Sequence, residues 1–112
     1  MAKLLIRGAK VIDGTGLAPL EDHAVLVTDE RIESVGPSGS LGSEGAEVVD
    51  ATGLTLLPGL INLHAHMHTS LQDTGGEDPE ADMLVRAIRY ARLALLSGVT
   101  TVRDVGTRGS IS

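Results

Sequence analysis

The histidines are unevenly distributed, because three of the four lie within five positions, as His64, His66 and His68. Side chains two residues apart share one face of a β-strand and lie about 6.6 Å from each other. Two imidazoles in that arrangement can bind one ion at Zn–N distances of about 2.0–2.1 Å, whereas on a helix they would diverge. The spacing therefore predicts that His64 and His66 are metal ligands.

Histidines at the end of a strand also have roles other than metal binding. A single histidine near a strand end is more often a hydrogen-bonded residue without a metal, but two adjacent imidazoles on one face are hard to satisfy otherwise. His68 shares their face only if the strand continues, so a rim position facing a substrate and an uninvolved loop position both stay open. His23 is expected on the surface of the N-terminal strands.

Few other residues suggest chemistry. Asp104 lies near the end of a second apolar run and could orient a ligand or a loop from outside the metal site, although a salt bridge with Arg103 or another arginine is an equal alternative. Gly106 and Gly109 form no phosphate-binding fingerprint, because no helix signal follows them. Ser70 is not surrounded by a nucleophile motif.

The segments around the histidines predict a strand, a helix and a second strand. Residues 54–63 are nearly all apolar, which suits a strand buried on both faces in a parallel sheet. A helix is expected over 79–97, with Asp78 as its cap and Pro79 in its first turn, and Gly98 is expected to end it. Its apolar stripe consists of Leu84, Ala87, Ile88, Ala91 and Leu95. With the β-branched run 99–105, this order predicts a βαβ unit.

The N-terminal half has a different pattern, in which short apolar runs alternate with turn residues between positions 4 and 50. This alternation predicts a β meander. The runs are Leu4–Ile6, Val11–Ile12, Ala24–Val27, Ile32–Val35 and Val48–Val49.

Length and composition exclude several classes of protein. The chain has 112 residues, whereas a complete α/β barrel has about 250. A net charge of −6 opposes nucleic-acid binding. Without cysteine, a metal must be held by nitrogen and oxygen. No apolar run approaches the length of a membrane span, so neither a nucleic acid nor a membrane is expected as a partner, and the cytoplasm is the expected location.

The sequence resembles the N-terminal portion of the metal-dependent amidohydrolase superfamily. The resemblance covers nearly the whole chain, and the last of its segments, with the helix before it, is similar to the imidazolonepropionase-like and Xaa-Pro dipeptidase-like branch. The three segments are Val11-Ile12-Asp13-Gly14-Thr15-Gly16, Leu57-Pro58-Gly59-Leu60-Ile61-Asn62-Leu63-His64-Ala65-His66 and Ser97-Gly98-Val99-Thr100-Thr101-Val102-Arg103-Asp104-Val105-Gly106.

The resemblance implies an α/β fold, in which residues 1–57 form the N-terminal half of a small β-sandwich and residues 58–112 form the first βαβ unit of a (β/α)8 barrel. It implies that His64 and His66 bind the more buried ion of a site with one or two zinc ions, or other divalent metals, and that the catalytic base lies beyond residue 112. The implied reaction is hydrolysis of a C–N bond in an amide, peptide or cyclic amide by a metal-activated water.

These implications also concern partners. The substrate is expected to be a small amide or peptide, and the remainder of the same protein or another chain is needed to complete the barrel. A homo-oligomer is also possible on this view, and the 112 residues alone are expected to be inactive. Two alternatives stay open: a stand-alone metal-binding or interaction module that uses His64, His66 and His68, and a structural β domain with incidental histidines.

Overall fold

The computed structural model describes residues 2–67 and 79–106. The chain is a mixed α/β protein that divides into two compact units, Met1–Pro58 and Gly59–Ser112. The assignment of the first as part of a β-sandwich and of the second as the start of a barrel stays a prediction.

The first unit is a five-stranded sheet. Its strands are β1 Lys3–Val11, β2 Leu20–Thr28, β3 Arg31–Pro37, β4 Ala46–Asp50 and β5 Thr55–Leu56. β1, β2 and β3 are antiparallel neighbours, as a meander requires, but β4 and β5 both pair with β1 in parallel. The prediction of a meander up to residue 50 is therefore wrong for β4. Because β2 occupies one edge of β1, residues 38–45 carry the chain across to its other edge.

The buried side chains of the described residues all lie in this first unit. They are Leu5, Ala9, Val11, Ala24, Val25, Leu26 and Ala51. They form two clusters, one around Val11 and Val25 and the other around Leu5 and Leu26. The core is aliphatic, in keeping with a sequence whose one aromatic residue is Tyr90.

The second unit contains β6 Leu60–Ala65, α1 Glu80–Leu96 and β7 Val99–Asp104, with β6 and β7 paired in parallel. This is the predicted order of strand, helix and strand. The prediction of one strand over residues 54–63 is wrong, because Pro58-Gly59 separates β5, which pairs with β1, from β6, which pairs with β7.

The expected burial of the strand before the histidines is also wrong. The side chains of Leu60, Ile61 and Leu63 are 54%, 63% and 62% exposed. Among the described residues, β6 pairs with one strand, β7, and α1 contacts β7. A two-stranded sheet with one helix leaves most of the apolar surface of β6 open to solvent.

The helix lies close to the predicted range of 79–97, but its N-terminus differs. Pro79 is the N-cap residue and not part of the first turn, and Asp78 lies outside the described residues. At the other end Gly98 follows the cap residue Ser97 with a φ of +85°, the left-handed conformation expected there. No helix in the described parts of the chain combines the length and the hydropathy needed to cross a membrane.

The helix face that packs is not the predicted stripe. Of the five stripe residues Ala87 is partly buried, whereas Leu84, Ile88, Ala91 and Leu95 are exposed. The half-buried helical residues are Met83, Arg86, Ala87, Tyr90 and Ala94. Because the helix contacts β7, it rests on a narrow sheet through this neighbouring face, and the apolar stripe remains uncovered.

Candidate metal centre

The two histidines at the end of β6 lie side by side. His64 belongs to the strand and His66 follows its last residue, Ala65. Their ring centroids are 5.3 Å apart and the ring planes make an angle of 72°. Two imidazoles on one tetrahedral zinc, with Zn–N distances of about 2.0–2.1 Å, place their ring centres about 5 Å apart. The separation of the two rings therefore suits two nitrogen ligands of one zinc ion, which normally has four ligands.

Both rings are exposed to solvent, which differs from the expected position at the end of a buried strand. They line an open cavity of about 470 Å³ whose walls are mostly apolar. The other residues around this cavity are Asn62, Ala65, Met67, Tyr90, Leu93, Ala94 and Ser97. A small solute can therefore reach the two imidazoles from solvent.

The histidine pair supplies two ligands, whereas a zinc site in a protein normally has four. Within residues 2–67 and 79–106, no group of three or more histidine, aspartate or glutamate side chains could hold a metal ion. His68, the tentative third member, lies outside the described residues, so both of its alternative roles stay predictions. If the pair binds zinc, water molecules or residues outside the described ranges must complete the coordination.

Asp104 connects the end of β7 to the backbone that follows His66. One carboxylate oxygen, Oδ2, accepts a hydrogen bond from the Met67 N–H at 3.1 Å. The other, Oδ1, accepts one from the Gly106 N–H at 2.9 Å. A Cβ added at Gly106 would lie 3.3 Å from the His66 ring. Asp104 thus orients the loop beside this imidazole, while any effect on a metal stays a prediction.

Two side chains contact the peptide group between Leu63 and His64. Arg103 Nε donates a hydrogen bond to the Leu63 carbonyl at 2.8 Å, and the His64 N–H donates one to Asn62 Oδ1 at 3.1 Å. Sequence analysis missed both contacts. Asn62 is a polar residue within the apolar run 54–63, whereas Arg103 was considered there as an ion-pair partner of Asp104 and not as a donor to the Leu63 carbonyl.

The fourth histidine, His23, has a different environment. It lies in β2, where it is partly buried, and its Nδ1 atom is 2.7 Å from the Glu21 carbonyl oxygen. Because His23 belongs to the first unit and contacts its own strand, it is a suitable control residue for the His64–His66 pair in the second unit.

Known proteins resemble this chain in sequence and in fold. The dihydroorotase of Streptomyces coelicolor is 42% identical over 102 residues, which are 91% of this chain and 20% of that protein. The adenine deaminase of a Chelativorans species is 34% identical over 99 residues, which are 88% of this chain and 14% of that protein.

The fold agrees with the sequence comparison. A crystal structure of a Xaa-Pro dipeptidase with methionine in its active site superposes with a TM-score of 0.85 at 25% identity. The match covers 98% of this chain and 28% of the dipeptidase. No protein-family model matches the sequence.

The chain belongs to the metal-dependent amidohydrolase superfamily and corresponds to an N-terminal part of its members. It spans about a fifth of the dihydroorotase and about a quarter of the dipeptidase.

Proposed function

We propose that this chain contributes two metal ligands, His64 and His66, to an enzyme that hydrolyses C–N bonds. The observation that carries the proposal is the 5.3 Å separation of the two rings, which suits a shared metal ion. The names of the relatives support the reaction class, since a deaminase and a dipeptidase both cleave carbon–nitrogen bonds.

The proposed substrate is a small amide, peptide or cyclic amide. Similarity to a Xaa-Pro dipeptidase over 98% of the chain favours the dipeptidase-like branch of the superfamily. The exposed, mostly apolar cavity beside the rings offers room for such a substrate next to the metal ligands. Zinc is the proposed metal, because two neutral imidazoles suit it, and other divalent ions would fit the same donors.

The residues of this chain would bind and orient, and the metal would supply the activation of water for hydrolysis. His64 and His66 hold the ion, and Asp104 orients the loop after His66 through the Met67 N–H. The catalytic base and the other ligands would lie beyond residue 112, in the remainder of the same protein or in another chain. Within this proposal, residues 1–57 are part of a β-sandwich and residues 58–112 begin the barrel.

Calorimetric titration of the 112-residue chain with zinc sulfate tests the ligand assignment. The variants His64→Ala and His66→Ala should each weaken zinc binding by about tenfold or more, because each removes one of two donors. His23→Ala is the matched control, since it removes a histidine from the first unit and should leave zinc affinity unchanged. Equal affinity of the wild type and the His64→Ala variant would contradict the assignment.

A further inference from the structure

The pairing of β6 with β7 contains two register shifts, one between Leu60 and Ile61 and a second between Asn62 and Ala65, an interval that includes His64. Asn62 is opposite Val102 and Ala65 is opposite Asp104, so β6 has one more residue than β7 between these pairs. Such bulges leave a residue out of the hydrogen-bond ladder and change the direction of the side chains that follow. The extra residue falls at the Leu63–His64 junction.

The peptide group at that junction is held by side chains on both of its polar atoms. Its carbonyl, from Leu63, accepts a hydrogen bond from Arg103 Nε at 2.8 Å. Its N–H, from His64, donates to Asn62 Oδ1 at 3.1 Å. Two residues further on the ladder resumes, because the Val105 N–H donates to the Ala65 carbonyl at 3.0 Å. The side-chain contacts thus coincide with the interruption of the ladder.

We propose that Arg103 and Asn62 are positioning residues that fix the Leu63–His64 peptide group and thereby keep the His64 and His66 rings on one side of the strand. This inference deepens the proposed function and rests on it, because the ring pair is there the metal site. Arg103 donates from the neighbouring strand and Asn62 accepts from within β6, so the peptide plane is restrained from both sides.

The position of the bulge decides whether the rings can converge. Side chains alternate between the two faces of a strand, and a shift of one residue transfers a side chain to the other face. No register shift follows Ala65 in the described pairing, so the alternation from His64 to His66 is regular when the extra residue lies at the Leu63–His64 junction, and the two ring centroids lie 5.3 Å apart. A bulge that moved one residue along would fall between them and separate them. Arg103 and Asn62 oppose this movement because they bind the peptide at its present place.

Two variants of Arg103 test its proposed role, because one keeps a hydrogen-bond donor at the position of Nε and the other has none. In Arg103→Gln the amide Nε2 occupies the position of the arginine Nε and still donates, whereas Arg103→Met has similar length and no donor. We expect Arg103→Met to weaken binding of zinc sulfate by about tenfold and to abolish the nuclear Overhauser effect between the two histidine rings in the metal-free chain. Arg103→Gln should keep both properties close to those of the wild type.

Two variants of Asn62 test the acceptor side of the proposal independently. Asn62→Asp keeps the acceptor oxygen, and Asn62→Leu removes it with little change in size. Hydrogen exchange of the His64 amide should accelerate in the leucine variant and stay slow in the aspartate variant. The amide spectrum of residues 3–56 serves as the folding control, because those residues belong to the other unit.

The positioning role is overturned if Arg103→Met keeps the ring-to-ring effect and the zinc affinity of the wild type, or if Arg103→Gln loses as much as Arg103→Met. In the latter case the charge, and not the hydrogen bond, would matter. Failure of the wild-type chain to bind zinc would count against the proposed function alone, since the ring-to-ring effect in the metal-free variants still decides the positioning role.

Discussion

Two exposed imidazole rings 5.3 Å apart can serve as neutral nitrogen ligands for one ion. Residue type and spacing were enough to find this pair, because two-residue spacing places side chains on one face of a strand. Asp104 accepts hydrogen bonds from the Met67 and Gly106 N–H groups, and both of its expected roles stay predictions. The contact of Arg103 with the Leu63 carbonyl was not foreseen, because it depends on the register of two strands.

Asp50 and Asp13, in the first unit, each accept hydrogen bonds from a threonine two residues further along the chain, and this allows a prediction on pH. The pKa of the Asp50 carboxyl is lowered from its ordinary value, mainly by the hydrogen bond from the Thr52 hydroxyl and next by that from the Thr52 N–H. The hydroxyl and the N–H of Thr15 lower the pKa of Asp13 in the same order. A lowered pKa in the folded state contributes stability above pH ~3.8, and this contribution is lost as the pH falls through the lower, folded-state pKa.

Thr52→Val should therefore raise the pKa of Asp50 toward its ordinary value and leave that of Asp13 unchanged, because the variant removes one hydroxyl donor. Thr15→Val is the reciprocal control and should act on Asp13 alone. Carbon-13 NMR titration of the carboxyl groups measures both. An unchanged Asp50 pKa in Thr52→Val would show that the hydroxyl is not the principal cause of the lowered pKa.

Strands and helices were predictable where a local pattern specified them. The order of β6, α1 and β7 followed from apolar runs and from the glycine at the helix C-terminus, which adopts the expected positive φ. Three features did not follow: the parallel pairing of β4 with β1, the register shift between Asn62 and Ala65, and the helix face that packs. Each depends on contacts between segments distant in sequence, which periodicity does not encode.

The chain approaches β7 closely just before β6 begins, where Gly59 lies against Thr100. A Cβ added to Gly59 would lie 2.7 Å from the Thr100 Cβ and closer still to the other side-chain atoms of that threonine. Gly59→Ala should therefore force β6 and β7 apart and lower the stability of the second unit by about 1–3 kcal/mol.

Urea unfolding followed by the NMR signals of the second unit measures this effect. Gly39→Ala is a suitable control, because nothing lies within 4 Å of a Cβ added there and its φ is not in the positive range. Equal midpoints for the Gly59→Ala variant and the wild type would contradict the close packing of Gly59 against Thr100.

The two units of the molecule differ in how well their apolar residues are covered. All buried hydrophobic residues of the described chain lie in the first unit, whereas β6 and α1 expose several large apolar side chains. Exposed apolar surface of this extent is typical of surfaces that pack against other parts of a protein. The chain also spans about a fifth of the dihydroorotase that it matches. Both facts support the proposal that the remaining metal ligands lie outside the described residues.

The 112-residue chain alone is therefore expected to show no zinc-dependent hydrolysis of a Xaa-Pro dipeptide or of a cyclic amide above the uncatalysed rate. Two imidazoles would leave the metal without its other protein ligands, and the catalytic base is proposed to lie beyond residue 112. Spectrophotometric assays with added zinc sulfate measure the activity. A turnover number of about 1–10³ s⁻¹, the range typical of enzymes, would contradict this expectation.

The central claim, that His64 and His66 jointly bind a metal ion, is tested most directly by crystals of the chain grown with zinc sulfate and measured at the zinc absorption edge. The account predicts an anomalous peak about 2.0–2.1 Å from one ring nitrogen of each histidine, and its loss in the His64→Ala variant. Rings that point in opposite directions, or zinc bound at other residues with both rings free, would contradict it.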